Sequence, residues 1–146
     1  MTTEKLNIKL TLSGTFWRRR PEYIITIDGN TLANDLVNTN SGEKFDIALE
    51  VDLAEDAEHT LAVHFINKTD VDCVMSEDKT EILKDMLLNV EGLEIDGIDV
   101  GVLLWENSLY TDLDGNTIEG CVNMGKNGQW EFKFSCPFYM WLLENM

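Results

Sequence analysis

The sequence predicts an all-β fold: an antiparallel β-sandwich of jelly-roll-like type with a short C-terminal helix. Three observations carry this expectation. Apolar residues recur at every second position in one segment after another, glycine-containing turn pairs separate those segments, and helical spacing occurs only near the C-terminus.

In residues 5–13, Leu6, Ile8, Leu10 and Leu12 alternate with Lys5, Asn7, Lys9 and Thr11. Successive strand side chains point to opposite faces, so this pattern makes a half-buried strand with one apolar face. Tyr23, Ile25 and Ile27 repeat it and run into Asp28-Gly29, a turn pair. Phe45, Ile47, Leu49 and Val51 form the next such face, followed by Leu61, Val63 and Phe65. From Met86 onward the chain is apolar but changes phase at Gly92, which predicts a β-bulge. Asp96-Gly97 then turns the chain into a further strand, expected over residues 100–105.

Asn127-Gly128 predicts a two-residue hairpin leading into a strand that carries Trp130, Phe132 and Phe134. Asp114-Gly115 marks a second hairpin, and residues 76–83 fit either one or two helical turns or a loop. Beyond Pro137, Phe138, Trp141 and Leu142 fall at i, i+3 and i+4, a short helix with proline in its first turn. The total is roughly seven or eight strands without repeat or linker, so residues 1–146 are read as one domain. The inward positions named above, from Leu6 to Phe134, are expected to share one core between two sheets.

Composition narrows the function. The chain has 146 residues, 44% of them hydrophobic, with 27 acidic against 11 basic side chains and a net charge of −16. A phosphate-binding surface needs clustered Lys and Arg, so nucleic acid is not an expected partner. No apolar run approaches a membrane span, and the first residues lack the apolar core of a secretory signal. Cys73, Cys121 and Cys136 are odd in number and form no C-x-x-C pair, so three free thiols are expected.

The charge is uneven. Residues 70–119 hold 14 acidic and 2 basic side chains. Carboxylates crowded on loops repel one another unless water or a cation intervenes, and loops rich in Asp and Asn supply the oxygens that Ca²⁺ takes. The same charge also makes a solvated, soluble surface. An EF-hand does not fit: with Gly115 at loop position six, position twelve is Cys121 instead of a glutamate.

Opposite in sign is Trp17-Arg18-Arg19-Arg20. Guanidinium groups beside an indole suit a carboxylate, a phosphate or a sugar face, and they also suit the chain's own carboxylates. Trp17, Tyr110 and Trp105 are the aromatic side chains considered as a flat platform for a sugar ring. No catalytic constellation is present: His59 and His64 lack the glutamate-bearing helix of a metalloprotease, and there is no nucleophile elbow or phosphate loop. The chain is therefore read as a non-enzyme.

Two segments together carry a family resemblance. One is Leu12-Ser-Gly14-Thr15-Phe16-Trp17 with Pro21-Glu22-Tyr23-Ile24-Ile25-Thr26-Ile27-Asp28-Gly29. The other is His59-Thr-Leu61-Ala-Val63-His-Phe65-Ile-Asn67, the acidic loop, Lys84-Asp85 and Leu93-Glu94-Ile95-Asp96-Gly97. Over residues 10–100 the chain resembles calcium-dependent, xylan-binding-type carbohydrate-binding modules. Over nearly its whole length, including residues 84–89 and the ending Pro137-Phe-Tyr139-Met-Trp141-Leu-Leu-Glu144-Asn145, it is similar to β-sandwich proteins of contractile-tailed phages of marine cyanobacteria.

The first resemblance implies a module in which loop carboxylates hold calcium and the calcium binds sugar hydroxyls. Carried over, Asn67, Asp70, Asp72 and Asp85 are the implied calcium ligands. Lys68 departs from the pattern, because an acidic residue follows the asparagine in the family. The second resemblance implies a virion component made in the host cytoplasm. The expected partner is accordingly a glycan or, in a purely structural capsid-decoration or tail protein, another virion protein.

Overall fold

The computed structural model describes residues 2–145. Thirteen strands and two α-helices lie among them: β1 Thr3–Thr15, β2 Glu22–Ile27, β3 Asn30–Leu36, β4 Phe45–Ala54, β5 Ala57–Phe65, β6 Val74–Met75, β7 Ile82–Lys84, β8 Leu87–Ile95, β9 Ile98–Asp99, α1 Gly101–Asn107, β10 Ser108–Asp112, β11 Thr117–Glu119, β12 Asn123–Met124, β13 Gly128–Cys136 and α2 Phe138–Asn145. A five-stranded sheet runs β12-β8-β1-β4, with β9 on β8, and a six-stranded sheet runs β11-β10-β13-β5-β2-β3. All their pairings are antiparallel. The fold is the expected antiparallel sandwich.

β1 is the spine of the first sheet. Leu6, Ile8, Leu10 and Leu12 are all buried and meet Val51, Leu49, Ile47 and Phe45 across β4. On the other side Leu10 faces Leu93 and Leu12 faces Val90. The register jumps between Thr11 and Leu12, leaving Glu91 as the extra residue beside Gly92, so the bulge lies at the predicted phase shift. Facing this layer, Tyr23, Ile25, Leu61, Val63, Phe65, Trp130, Phe132 and Phe134 come from β2, β5 and β13 and complete one core. Phe45, Ile47 and Leu49 are only half-buried, short of the core position expected for them. The reason is positional: β4 is the open edge of its sheet, so nothing covers their outer side.

The C-terminal helix forms as expected. Phe138 and Leu142 are buried, and Trp141 packs edge-on against Phe132 at 5.6 Å between ring centroids. Glu4 on β1 accepts the amide of Phe138 (3.0 Å), which satisfies one free donor of the helix start.

Two local expectations are corrected, and one open alternative is decided. Residues 100–105 are not a strand: after the short β9 the chain enters α1. Asp99 Oδ1 accepts the amide of Gly101 (2.7 Å), and the adjacent Leu103 and Leu104 are both buried, which a strand with one apolar face would not allow. The side chains of Val102 and Trp105 lie outside the described residues. Asn127-Gly128 is not a hairpin, because β12 joins the five-stranded sheet and β13 the six-stranded one, so residues 125–127 cross between layers. For residues 76–83 the loop alternative holds: 76–81 turn between β6 and β7, held by Ser76 N–H to Glu81 O (2.8 Å), and Ile82 and Leu83 already belong to β7.

At the end of the sandwich near α2, His59 is buried between Asp28 Oδ2 (2.6 Å) and Ala54 O (2.8 Å). Both partners accept, so the doubly protonated ring satisfies both. Burial pulls its pKa down, but Asp28 and the Ala54 carbonyl outweigh burial and hold it above 6.5. A raised pKa stabilises the fold below about 6.5, and that stability is lost as pH rises through the folded value. His64, hydrogen-bonded to Thr26, runs the other way because burial lowers its pKa. Urea unfolding of wild type and His59→Gln from pH 5.5 to 8.5 should show their stability difference shrinking as pH rises. A difference constant with pH would show that His59 carries no charge in the fold.

The three cysteines are free, as expected. Burial, with Glu4 next in effect, pushes the Cys136 thiol up to about 12.

Candidate functional site

Most of the residues singled out from the sequence come together at the sandwich end opposite His59. There the segments 16–21, 66–73, 85–86, 113–116 and 125–127 leave the strands. Asp72, implied as a calcium ligand, and Arg18 and Arg19, read as ligand-binding, meet each other. Asp72 has no exposed side-chain surface. Arg18 Nη1 donates to its Oδ1 (2.9 Å) and Arg19 Nη2 to its Oδ2 (2.8 Å). Thr69 adds its amide (2.7 Å) and its hydroxyl (3.1 Å), closing a turn of 3₁₀ helix over Asp70–Asp72. Arg19 above all, with the Thr69 amide and Arg18, holds the Asp72 carboxyl well below the usual carboxylate range against the effect of burial.

The remaining basic and aromatic candidates are also engaged. Arg20 donates to the carbonyls of Val37 (3.1 Å) and Thr39 (2.6 Å) and lies over the Phe16 ring. The Trp17 indole N–H donates to Asp72 O (2.9 Å), and the Lys84 ammonium sits 4.8 Å from the centre of its ring. Trp17 keeps 41% of its surface exposed, but one ring face already carries a cation. Tyr110 is not a platform: it is buried on the inward face of β10 beside Trp130, and its hydroxyl donates to Lys126 O (2.5 Å).

Asn67 staples two loops. Its side chain accepts the Glu22 amide (2.8 Å) and donates to Arg20 O (3.0 Å), and its carbonyl takes a bond from Arg19. Lys68 then reaches across the site: Nζ donates to Asp85 Oδ1 (2.5 Å) and to Gly125 O (2.5 Å). Asn127 clamps the Lys68 backbone at both N–H (2.8 Å) and C=O (2.9 Å). Asn127, Thr69 and the cleft-lining Lys126 are site residues that sequence reasoning missed. Asn-Gly chemistry concealed Asn127, whereas the Thr-x-x-Asp spacing of Thr69 and Asp72 is itself a turn-capping signal.

Asp70 is exposed on the wall of an open cleft of about 610 Å³. Lys68, Asp85, Asp114, Lys126 and Asn127 also line it, and Met75 and Ile82 supply apolar surface. Of the implied calcium ligands, Asp72 is committed to two guanidinium groups, Asp85 to an ammonium, and the Asn67 amide to backbone. Among the described residues no three acidic, histidine or cysteine side chains converge as a metal site. These residues do not fit a calcium ion.

The antiparallel sandwich holds this mixed polar and apolar cleft between its loops, where a rigid scaffold positions side chains. No protein-family model matches the sequence, and no curated protein does. Solved structures match the fold. The chain is similar to vCBM60 in complex with galactobiose, at a TM-score of 0.52 and 12% identity over 86% of this chain and 96% of that one. It is similar also to the selenomethionine form of vCBM60, described with two families of calcium-dependent carbohydrate binding modules, at 0.55 and 13% over 87% and 89%. At these identities the likeness is one of fold.

Proposed function

We propose that this chain is a non-catalytic carbohydrate-binding module whose sugar site is the loop-end cleft, working in a virion. The observation that carries the reading is the cleft wall. It offers the exposed Asp70 and Asp114 carboxylates and the Lys126 ammonium beside Met75 and Ile82, the mixture that sugar hydroxyls and C–H faces require. The fold shared with the galactobiose-binding vCBM60 supports it, and the virion setting rests on the sequence resemblance to phage proteins.

A glycan array with the full chain should show retained binding to a restricted set of sugars, with no cleavage products. Lys126→Ala together with Asp114→Ala should reduce that signal at least tenfold. Both are surface substitutions at the cleft, and circular dichroism would check the fold. Equal array signals for wild type and variant would remove the cleft from the reading.

A second reading is a structural virion protein that binds another virion protein. It is favoured by Tyr139, Met140 and Leu143, which leave α2 with an exposed apolar side. An array without any binding would favour it.

A further inference from the structure

The loop end has the carboxylates of a cation site, and the chain fills it with cations of its own. Calcium coordinates oxygens at about 2.3–2.6 Å and needs six or more of them. Here both Asp72 oxygens accept from arginine, at 2.9 and 2.8 Å, on a side chain with no remaining surface. Entry of a divalent ion at Asp72 would place it against two guanidinium charges.

The second centre is Lys68. Its ammonium rests between a carboxylate oxygen of Asp85 and the carbonyl oxygen of Gly125, both at 2.5 Å, a donor set of the kind a hard cation takes. The amide of Met86 also donates to Asp85 Oδ1 (2.8 Å). Together Lys68 and Asn127 connect the segments 66–73, 85–86 and 125–127, which form the cleft. A tethered ammonium is present at every calcium concentration, whereas a bound ion contributes only when its free concentration exceeds its Kd.

We infer that Lys68, with the Arg18–Arg19 pair on Asp72, replaces a calcium ion as the organiser of this loop end, so that the cleft is assembled and takes sugar without divalent metal. The sugar clause rests on the carbohydrate-binding reading; the assembly clause does not.

The test pairs two measurements on the full chain. Thermal unfolding is followed in calcium chloride, in sodium chloride and in chelator with sodium chloride, all at matched ionic strength, and the glycan array is repeated in the calcium and chelator buffers. The three wild-type melting temperatures should agree within about 1 °C, because nothing but screening acts. Lys68→Gln should lower the melting temperature by a similar amount in all three buffers, and Arg19→Gln should do the same should Lys68→Gln fail to fold. Array signals should be equal in both buffers.

A rise of roughly 5 °C or more in calcium over the sodium control, reversed by chelator, would overturn the assembly clause. Unchanged melting with a calcium-requiring array signal would overturn the sugar clause and leave the carbohydrate reading standing. If no sugar binds in either buffer, the carbohydrate reading and the sugar clause fall together, and the melting data still decide the assembly clause.

Discussion

Gly128→Ala is expected to cost about 3 kcal/mol of stability and roughly 10 °C in melting temperature. Gly128 opens β13 and is paired on both sides, with Asp112 of β10 and Phe65 of β5. A methyl group there would lie 2.3 Å from the Thr111 carbonyl oxygen and 2.8 Å from Asp112 Cα. Both are backbone atoms of a paired strand, so no side-chain rotation relieves the contact, and β10 and β13 must separate. The displacement would also carry the neighbouring Asn127 away from Lys68, loosening the loop end. Gly125→Ala is the control, because its added methyl meets only Leu87 Cδ2 at 3.6 Å, an ordinary contact. Equal melting temperatures for the two variants would show that the strands of the six-stranded sheet are not packed this closely.

Asp72→Ala is expected to cost about 2–3 kcal/mol. Removing one partner of a fully buried ion pair costs about 3–5 kcal/mol. The value is smaller here because Arg18 and Arg19 keep 41% and 37% of their side-chain surface in water, which screens them. The lost interactions include the Thr69 amide and hydroxyl, so the turn over Asp70–Asp72 should fray together with the ion pairs.

The same carboxylate has an acid signature. Its folded pKa lies below the ordinary 3.8, so its contribution is present above that value and is lost as pH falls toward the folded one. Urea midpoints measured from about pH 5 down to about pH 2 should fall steeply in wild type and more shallowly in Asp72→Ala. Parallel slopes would show that Asp72 is not ionised in the fold.

What was legible in the sequence was the part written in period two. Leu6 to Leu12, Leu61 to Phe65 and Trp130 to Phe134 announce buried strand faces, because alternation has one physical outcome when a chain must hide apolar surface on one side. Gly92 announced its bulge and Pro137 its helix for equally local reasons. Short segments were not legible. β6, β9 and β12 have two residues each, too few to show a period, and the apolar run before Trp105 suits helix and strand alike until Asp99 caps Gly101.

The candidate site divides in the same way. Its chemistry was readable as an excess of carboxylates in residues 70–119 and a run of arginines at 18–20. Their pairing was not. Arg18 and Asp72 stand 54 positions apart, and Lys68 and Asp85 stand 17 apart. Only the antiparallel pairing of β2 with β5, and the crossing between sheets at residues 125–127, sets these groups within hydrogen-bond reach. Local sequence therefore determined the sheets and the supply of charge. The tertiary fold decided that Asp72 and Asp85 would be neutralised from within, because carboxylates taken out of water must find partners and the nearest available cations were the chain's own.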